Sequence, residues 1–148
     1  MAFRIYKASI YVPAPREQAW DFMMSNDEEA LALNPMIVKS EMTKHPDGTY
    51  DLVQVLRVRL RHVIVERRCV ERVRPDHSVE TSNATGATSL IATTFRDERG
   101  GTRVLFEVST SFKWWVSPIG RALAIRRYRR GMAALEARLA EHFNTHTL

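Results

Sequence analysis

The stretch that decides the fold is 118–143, PIGRALAIRRYRRGMAALEARLAEHF. Apolar residues recur in it at intervals of three and four, the spacing that places side chains on one face of an α-helix. The four arginines at its centre lie mostly off that face. The pattern therefore predicts one long amphipathic helix, whose apolar stripe consists of Ala124, Ile125, Tyr128, Met132, Leu135, Leu139 and Phe143.

Upstream of this helix, apolar and polar residues alternate, which is typical of strands. The alternation predicts strands at 3–12, 37–43, 49–57 and 102–113, with turns at 45–48, 74–77 and 97–101. The run 49–73 is too long for one ordinary strand, so we expect a bend or tight connection near 59–62. The expected inward-facing residues of this run are Leu52, Leu56, Val58 and Leu60, followed by Val63 and Val65.

Two short helices are predicted after the first strand. Pro13 and Pro15 suit a helix start, because proline lacks the N–H that would be unsatisfied there. Trp20 and Ala19 then fall on one face of a helix at 15–24. Asp27 can cap a second helix, whose first turn is acidic. Consecutive strands joined by short turns, together with these helices, indicate an α+β domain with an antiparallel sheet.

Composition places limits on the class of protein. With 148 residues and 45% apolar content, the chain fits one soluble domain, 1–148. No apolar run approaches the ~20 residues that a membrane-spanning helix needs. The first residues alternate like a strand and do not resemble a targeting peptide. Cys69 is the single cysteine, so no internal disulfide can form. We expect a cytoplasmic protein.

Three motifs and the order of elements resemble the START-related, birch-pollen-allergen-like (SRPBCC) superfamily. VPAP at 12–15, followed by AWDF at 19–22, is similar to that family's first strand and helix. GGTRV at 100–104 resembles its turn into the last strand, and SPIGR at 117–121 the start of its final helix, as in the polyketide cyclase/dehydrase-like branch. The resemblance implies the helix-grip fold, in which a curved antiparallel sheet wraps around a long C-terminal helix.

Members of this superfamily commonly bind hydrophobic ligands, so the resemblance implies a cavity between sheet and helix. One helix covers only part of a concave sheet, and the remainder can hold a small molecule. The alternative is that the same residues fill a closed core. The candidate cavity residues are Met24, Met36, Leu52, Gln54, Leu56, Ile91, Phe95, Phe106, Val108, Phe112, Trp115, Tyr128 and Met132.

A few polar residues are candidates for chemistry in that cavity. Tyr128 lies within an apolar stripe, where its hydroxyl needs a partner, either a ligand or the sheet backbone. His62 and Gln54 share the largely apolar parity of their strands. Glu66 can carry a proton only if it is buried, whereas Glu107 is expected in solvent. Tyr128 and His62 are the catalytic candidates, and no complete catalytic set is recognisable.

Metal, cofactor and nucleic-acid functions find little support in the sequence. His142 and His146 have a spacing that can share a metal, but no third ligand is evident, so no metal site is predicted. No phosphate-binding or dinucleotide motif occurs, and no cofactor is expected. The net charge of +5 comes mainly from arginine. Without an aromatic and basic stacking platform, no nucleic-acid partner is expected.

The arginines suggest one further partner. If two arginine groups are adjacent, they can bind an anionic membrane surface; the alternative is an ordinary solvated surface. The groups are Arg57, Arg59 and Arg61 on a strand and Arg126, Arg127, Arg129 and Arg130 on the final helix.

The expected function is binding of a hydrophobic small molecule, such as a lipid, isoprenoid or polyketide-like compound. Two alternatives stay open. One is an enzyme of the polyketide aromatase/cyclase type, and the other is a coenzyme-Q or lipid chaperone acting at an anionic membrane.

Overall fold

The computed structural model describes residues 2–32, 36–59 and 62–146. Within these residues the chain forms helices and strands in this order: β1 (Ala2–Val12), α1 (Arg16–Met23), α2 (Glu28–Leu31), β2 (Ile37–Lys44), β3 (Thr49–Arg59), β4 (His62–Arg74), β5 (His77–Ala84), β6 (Ala87–Glu98), β7 (Gly101–Phe112) and α3 (Pro118–His146).

The described strands form one curved antiparallel sheet in the order β1-β7-β6-β5-β4-β3-β2. The helix α3 packs against the concave face, where Leu139 is fully buried and the ring of Tyr128 lies edge-on to that of Tyr6 at 5.0 Å. It also follows the edge strand β1, because a carboxylate oxygen of Glu136 accepts a hydrogen bond from the backbone N–H of Tyr11 at 2.6 Å. The predicted α+β helix-grip fold is therefore confirmed.

Both short helices occur close to their predicted positions. Pro15 precedes α1, and the side chain of Asp27 caps α2 by accepting from the backbone N–H of Ala30 at 2.9 Å. The final helix extends from Pro118 three residues beyond the predicted end, to His146. None of the described helices combines the length and apolar character needed to cross a membrane.

Two of the sequence motifs meet where the first and last strands pair. A Cβ added to Gly101 would lie 2.5 Å from both the Tyr11 hydroxyl and the Val12 carbonyl oxygen, so only glycine fits there. The next residue, Thr102, is fully buried and donates its hydroxyl to the carbonyl of Ala14 at 2.8 Å. The glycine-threonine motif thus fixes the chain where it leaves β1 for α1.

The structure differs from the predicted strands in two places. The run 77–98, which is not predicted to turn, folds at Thr85-Gly86, where Gly86 has a positive φ of 90°. The expected inward orientation of Val63 and Val65 is wrong, since these side chains are 49% and 46% exposed on the convex face. The connection near 59–62 is confirmed, since β3 ends at Arg59 and β4 begins at His62.

A contiguous apolar core closes one end of the molecule. Trp20 from α1 lies at its centre, with ring centroids 5.8 Å from Phe95 and 6.2 Å from Tyr50. Arg72 covers the outer face of this indole at 4.9 Å and pairs with Glu17. The buried members of the cluster are Ile10, Val12, Ala14, Ala19, Trp20, Leu52, Val70, Phe95, Val104 and Leu139.

The hairpin between β6 and β7 offers a test of local strain. Its two central residues, Arg99 and Gly100, have φ of 50° and 77°, and Arg99 is a poor residue for this left-handed conformation. We expect Arg99→Asn to raise the free energy of unfolding by up to about 1 kcal/mol, because asparagine tolerates the conformation better. Thermal unfolding would show a higher midpoint; an unchanged or lower midpoint would contradict the argument.

Candidate functional site

A row of polar side chains crosses the concave face of the sheet, where an apolar core would ordinarily continue. Directly paired residues of an antiparallel sheet share a face, and the pairs Ser40–Gln54, Gln54–Glu66, Arg68–Ser82, Ser82–Ser89 and Ser89–Thr110 run from β2 to β7. Glu80 shares this face. We call this group the polar band: Ser40, Gln54, Glu66, Arg68, Glu80, Ser82, Ser89 and Thr110.

Arg68 holds the band together. Its guanidinium contacts the carboxylate of Glu80 through Nε and donates from Nη1 to the amide oxygen of Gln54 at 3.1 Å. The Nε atom also lies 3.4 Å from a carboxylate oxygen of Glu66. One guanidinium therefore joins three strands through two acids and an amide.

Gln54 extends these contacts to the segment between α1 and α2. Its amide nitrogen donates to the hydroxyl of Ser40 at 3.2 Å, and Ser40 donates to the side-chain oxygen of Asn26 at 2.6 Å. Asn26 has a positive φ of 56°, a conformation that asparagine tolerates. Gln54, which is only 4% exposed, is thus a fixed member of a network and not an isolated buried amide.

Burial governs the charges of the band. It raises the pKa of Glu66 above the ordinary carboxyl value, although the positive charge of Arg68 opposes this; the negative charge of Glu80 adds to the rise. Burial also opposes the charge on Arg68, but Glu80 and Glu66 outweigh it, so the pKa of the guanidinium is raised. The band therefore combines a permanent cation with a carboxyl that binds its proton more tightly than usual.

Tyr128 brings a hydroxyl from α3 toward the same face. Burial raises the pKa of this hydroxyl, and the neighbouring Tyr6 and Glu80 raise it further. The hydroxyl of Tyr128 is therefore neutral and able to donate a hydrogen bond. No described residue donates to or accepts from its hydroxyl, so the expected alternative of a bond to the sheet backbone is not found.

Apolar residues flank the polar band along its own strands. Leu56 lies two residues beyond Gln54 on β3, Ile91 two beyond Ser89 on β6, and Val108 and Phe112 lie on either side of Thr110 on β7. Among the described residues, Leu56, Val108 and Phe112 are buried yet not members of the core cluster. The guanidinium of Arg121 on α3 lies 5.9 Å from the ring of Phe112, so the first half of α3 faces this region.

We define the candidate site as the polar band together with Tyr128 and these four flanking apolar residues. It unites six of the predicted cavity residues: Gln54, Leu56, Ile91, Val108, Phe112 and Tyr128.

The other predicted cavity residues lie elsewhere. Leu52 and Phe95 belong to the closed core, and Phe106, Met24 and Met132 pack against it. Met36 is half-buried, and Trp115 is 55% exposed beside Gly86. The side chain of His62 lies outside the described part of the structure, so the structure assigns it no place in the site.

Arg68 and Glu80 are the charged members of the band that the sequence interpretation misses, whereas it considers Glu66 as a proton carrier. Arg68 on β4 and Glu80 on β5 place charges on the concave face, while Val63 and Val65 of β4 are exposed on the other face, which locally inverts the usual pattern of apolar residues inside. One sequence signal indicates the inward orientation of Glu66 and Arg68, because on β4 they lie on the same face as the apolar residues Ile64 and Val70. Glu66, whose proposed role as a proton carrier requires burial, is half-buried, with 21% of its side chain exposed, and Glu107 is exposed as predicted.

The described residues contain no group of three or more histidines, cysteines or acids placed to hold a metal ion. His142, one of the two histidines with metal-like spacing, stacks its ring on that of Phe22 with centroids 4.0 Å apart. Its described environment is aromatic packing.

The raised pKa of Glu66 has a consequence for stability. The folded chain holds the proton on the Glu66 carboxyl more tightly than the unfolded chain does. The contribution of Glu66 to the free energy of unfolding is therefore fully present at low pH and is lost as the pH rises through the folded pKa. We expect Glu66→Gln to gain stability relative to the native chain as the pH rises from about 4 to about 8. Urea unfolding over that range tests this, with exposed Glu107→Gln as control; a pH-independent difference would contradict it.

The architecture is the helix-grip fold shared by START-superfamily and aromatase/cyclase structures. No family model matches the chain, and no curated protein matches it. The chain is similar to the Zhui aromatase/cyclase from Streptomyces sp. R1128, with a TM-score of 0.80, 10% identity, and coverage of 99% of this chain and 97% of that chain.

Two other solved structures share the fold. The protein TTHA0849 from Thermus thermophilus has a TM-score of 0.79 and 16% identity, with coverage of 98% of this chain and 100% of that chain. A START superfamily protein from Mycobacterium smegmatis has a TM-score of 0.74 and 16% identity, with coverage of 94% of this chain and 98% of that chain. At these identities the similarity concerns the fold.

Proposed function

We propose that the chain binds a hydrophobic small molecule between the concave face of the sheet and the first half of α3. The observation that carries this proposal is the polar band, which places an arginine and two carboxyls among buried apolar side chains. Burial of charged groups is costly in a closed core, even when they are paired. In a site that admits a ligand, these groups can form hydrogen bonds to the ligand.

The chemistry of the band indicates the polar end of the ligand. Arg68 is already engaged by Glu80 and Gln54, which leaves little uncompensated positive charge for an anion. Tyr128 carries a neutral hydroxyl for which no described residue is a hydrogen-bond partner, and burial raises the pKa of the nearby Glu66 carboxyl. A neutral hydroxyl donor suits a carbonyl or hydroxyl oxygen. We therefore propose an apolar ligand that carries an uncharged oxygen.

The apolar part of the ligand would contact the flanking residues. Leu56, Val108 and Phe112 are buried outside the core cluster, and Ile91 is half-buried next to Glu80 in the sheet register. These side chains supply shape and apolar contact, while the band supplies orientation, which is the usual division in small-molecule sites.

A second candidate is an enzyme of the aromatase/cyclase type, favoured by the raised pKa of Glu66. A carboxyl with an elevated pKa can exchange a proton near neutral pH. The raised pKa of Tyr128 suits donation of a hydrogen bond and opposes a role as base. Turnover of a polyketide-like ketone that persists in Tyr128→Phe but disappears in Glu66→Gln would favour this candidate. Absence of turnover in the native chain would favour simple binding.

Binding of the neutral fluorescent ketone Prodan tests the proposed function. We expect saturable, one-to-one binding to the native chain, with affinity about 3- to 10-fold lower for Tyr128→Phe, because one neutral hydrogen bond is lost. Tyr11→Phe is the matched control, because the hydroxyl of Tyr11 donates to the backbone carbonyl of Arg99 at an exposed position away from the candidate site. No saturable binding to the native chain would overturn the proposal, and equal loss in both variants would remove Tyr128 from the site.

A further inference from the structure

Apolar side chains are displayed to solvent where β7 passes into α3. Trp114 is 89% exposed, Ile119 74%, Trp115 55% and Leu123 44%. Ile119 and Leu123 are one helical turn apart and so share a face of α3. Such a group of large apolar side chains on a surface marks an interaction site. We call these four residues the aromatic tip.

The aromatic tip stands on an ordered segment of backbone. The N–H of Lys113 donates to the carbonyl of Gly86 at 2.9 Å, and the N–H of Val116 donates to Lys113 at 3.0 Å. The ring of Trp115 passes 3.0 Å from where a Cβ on Gly86 would stand. The N–H of Gly120 donates to the hydroxyl of Ser117 at 3.0 Å. The tip is therefore held in place by the hairpin between β5 and β6.

Positive charge follows the tip along the chain without any acidic residue. The segment 108–135 contains no aspartate or glutamate. Beside the tip lies exposed Lys113, and on the next turns of α3 lie the exposed arginines Arg126, Arg127, Arg129 and Arg130. Arg57 is exposed on the convex face of β3, whereas Arg61 and the side chain of Arg59 lie outside the described part of the structure. The argument therefore rests on the helix arginines.

We propose that the aromatic tip and the helix arginines dock on an anionic lipid bilayer. Tryptophan favours the boundary between water and lipid, since its ring is apolar and its N–H is polar. Ile119 and Leu123 would enter the same layer, while arginines near it would contact lipid phosphates. Self-association through this surface would bring the exposed arginines of two copies together, and their repulsion argues against it.

Docking is independent of the ligand proposed above, and its tests use protein without ligand. Co-sedimentation with vesicles of phosphatidylcholine alone is compared with vesicles that also contain phosphatidylglycerol. We expect binding to the anionic vesicles only, and about 30-fold weaker binding for the double variant Arg126→Ala/Arg127→Ala. The control is Arg67→Ala/Arg74→Ala, which removes two exposed arginines from β4.

Tryptophan emission tests the apolar part of the proposal. Trp20 is buried in the core, so a shift on adding vesicles reports Trp114 and Trp115. We expect a shift to shorter wavelength with anionic vesicles and a smaller shift for Trp114→Ala, a change at an exposed position. Equal binding to both vesicle types, or binding to neither, would overturn the proposal. A dimer that forms in the native chain and is lost in Trp114→Ala would also overturn the proposal, because the aromatic tip would then bind a second copy of the chain.

Discussion

We expect the replacement of Arg68 by methionine to lower the free energy of unfolding by about 3 kcal/mol at neutral pH, because it leaves two carboxyls without their cation. The guanidinium of Arg68 contacts both Glu66 and Glu80, and the side chains of these acids are only 21% and 12% exposed. Methionine can fill much of the volume but cannot supply the charge or the bond to Gln54. Chemical unfolding in urea measures the loss.

Two comparisons separate this electrostatic effect from lost packing. The loss in Arg68→Met should shrink at acidic pH, where the two carboxyls become protonated, and adding Glu80→Gln should restore part of the stability at neutral pH. Arg67→Met, at an exposed position next to it in the chain, should change stability by less than about 0.5 kcal/mol. A loss that is the same at every pH would contradict the proposed role of Arg68.

Replacing Ile91 by tryptophan should reduce the affinity for Prodan by more than about tenfold while leaving stability nearly unchanged. Ile91 is half-buried on the concave face next to Glu80 and Val108, outside the core cluster, so a larger ring would occupy space that the ligand needs. In a closed core the same enlargement would cost about 1–3 kcal/mol.

The chain offers a matched control on each side of this test. Leu90→Trp introduces the same ring one residue away. Leu90 is 49% exposed on the convex face, so this change should leave Prodan binding unchanged. Val104→Phe enlarges a residue that is fully buried in the core and should cost about 1–3 kcal/mol of stability. If Ile91→Trp destabilises the chain as much as Val104→Phe and leaves Prodan binding intact, the site is a closed core.

The fold was predictable because several local signals agree. The 3.6-residue period of α3, the prolines before α1 and the cap at Asp27 each depend on neighbours in sequence, and all three are confirmed. The turn at Thr85-Gly86 carries only one strong signal, a single glycine, within a run of residues that otherwise suits a strand. It was accordingly missed, although Gly86 supplies the positive φ that the hairpin requires.

The candidate site was predictable in its apolar residues and in Gln54 and Tyr128, but not in Arg68 and Glu80. Residues such as Leu56 and Val108 follow from alternation on well-bounded strands. On β4, Val63 and Val65 point outward, whereas Glu66 and Arg68 point inward on the same face as the buried Val70, so the usual rule gives the wrong face for this part of the strand. Only pairing with the neighbouring strands, which places Glu80 and Gln54 beside Arg68, makes that orientation possible. The periodicity of a single strand does not predict such contacts between residues that are distant in sequence.

Native mass spectrometry of the gently purified chain, followed by organic extraction, tests the central claim most directly. The claim is that the polar band, Tyr128 and their flanking apolar residues hold one hydrophobic molecule with an uncharged oxygen. We expect one such molecule per chain, either retained through purification or taken up on incubation with Prodan, and its loss in Ile91→Trp. A bare chain mass in both preparations, with no extractable species, would contradict the claim.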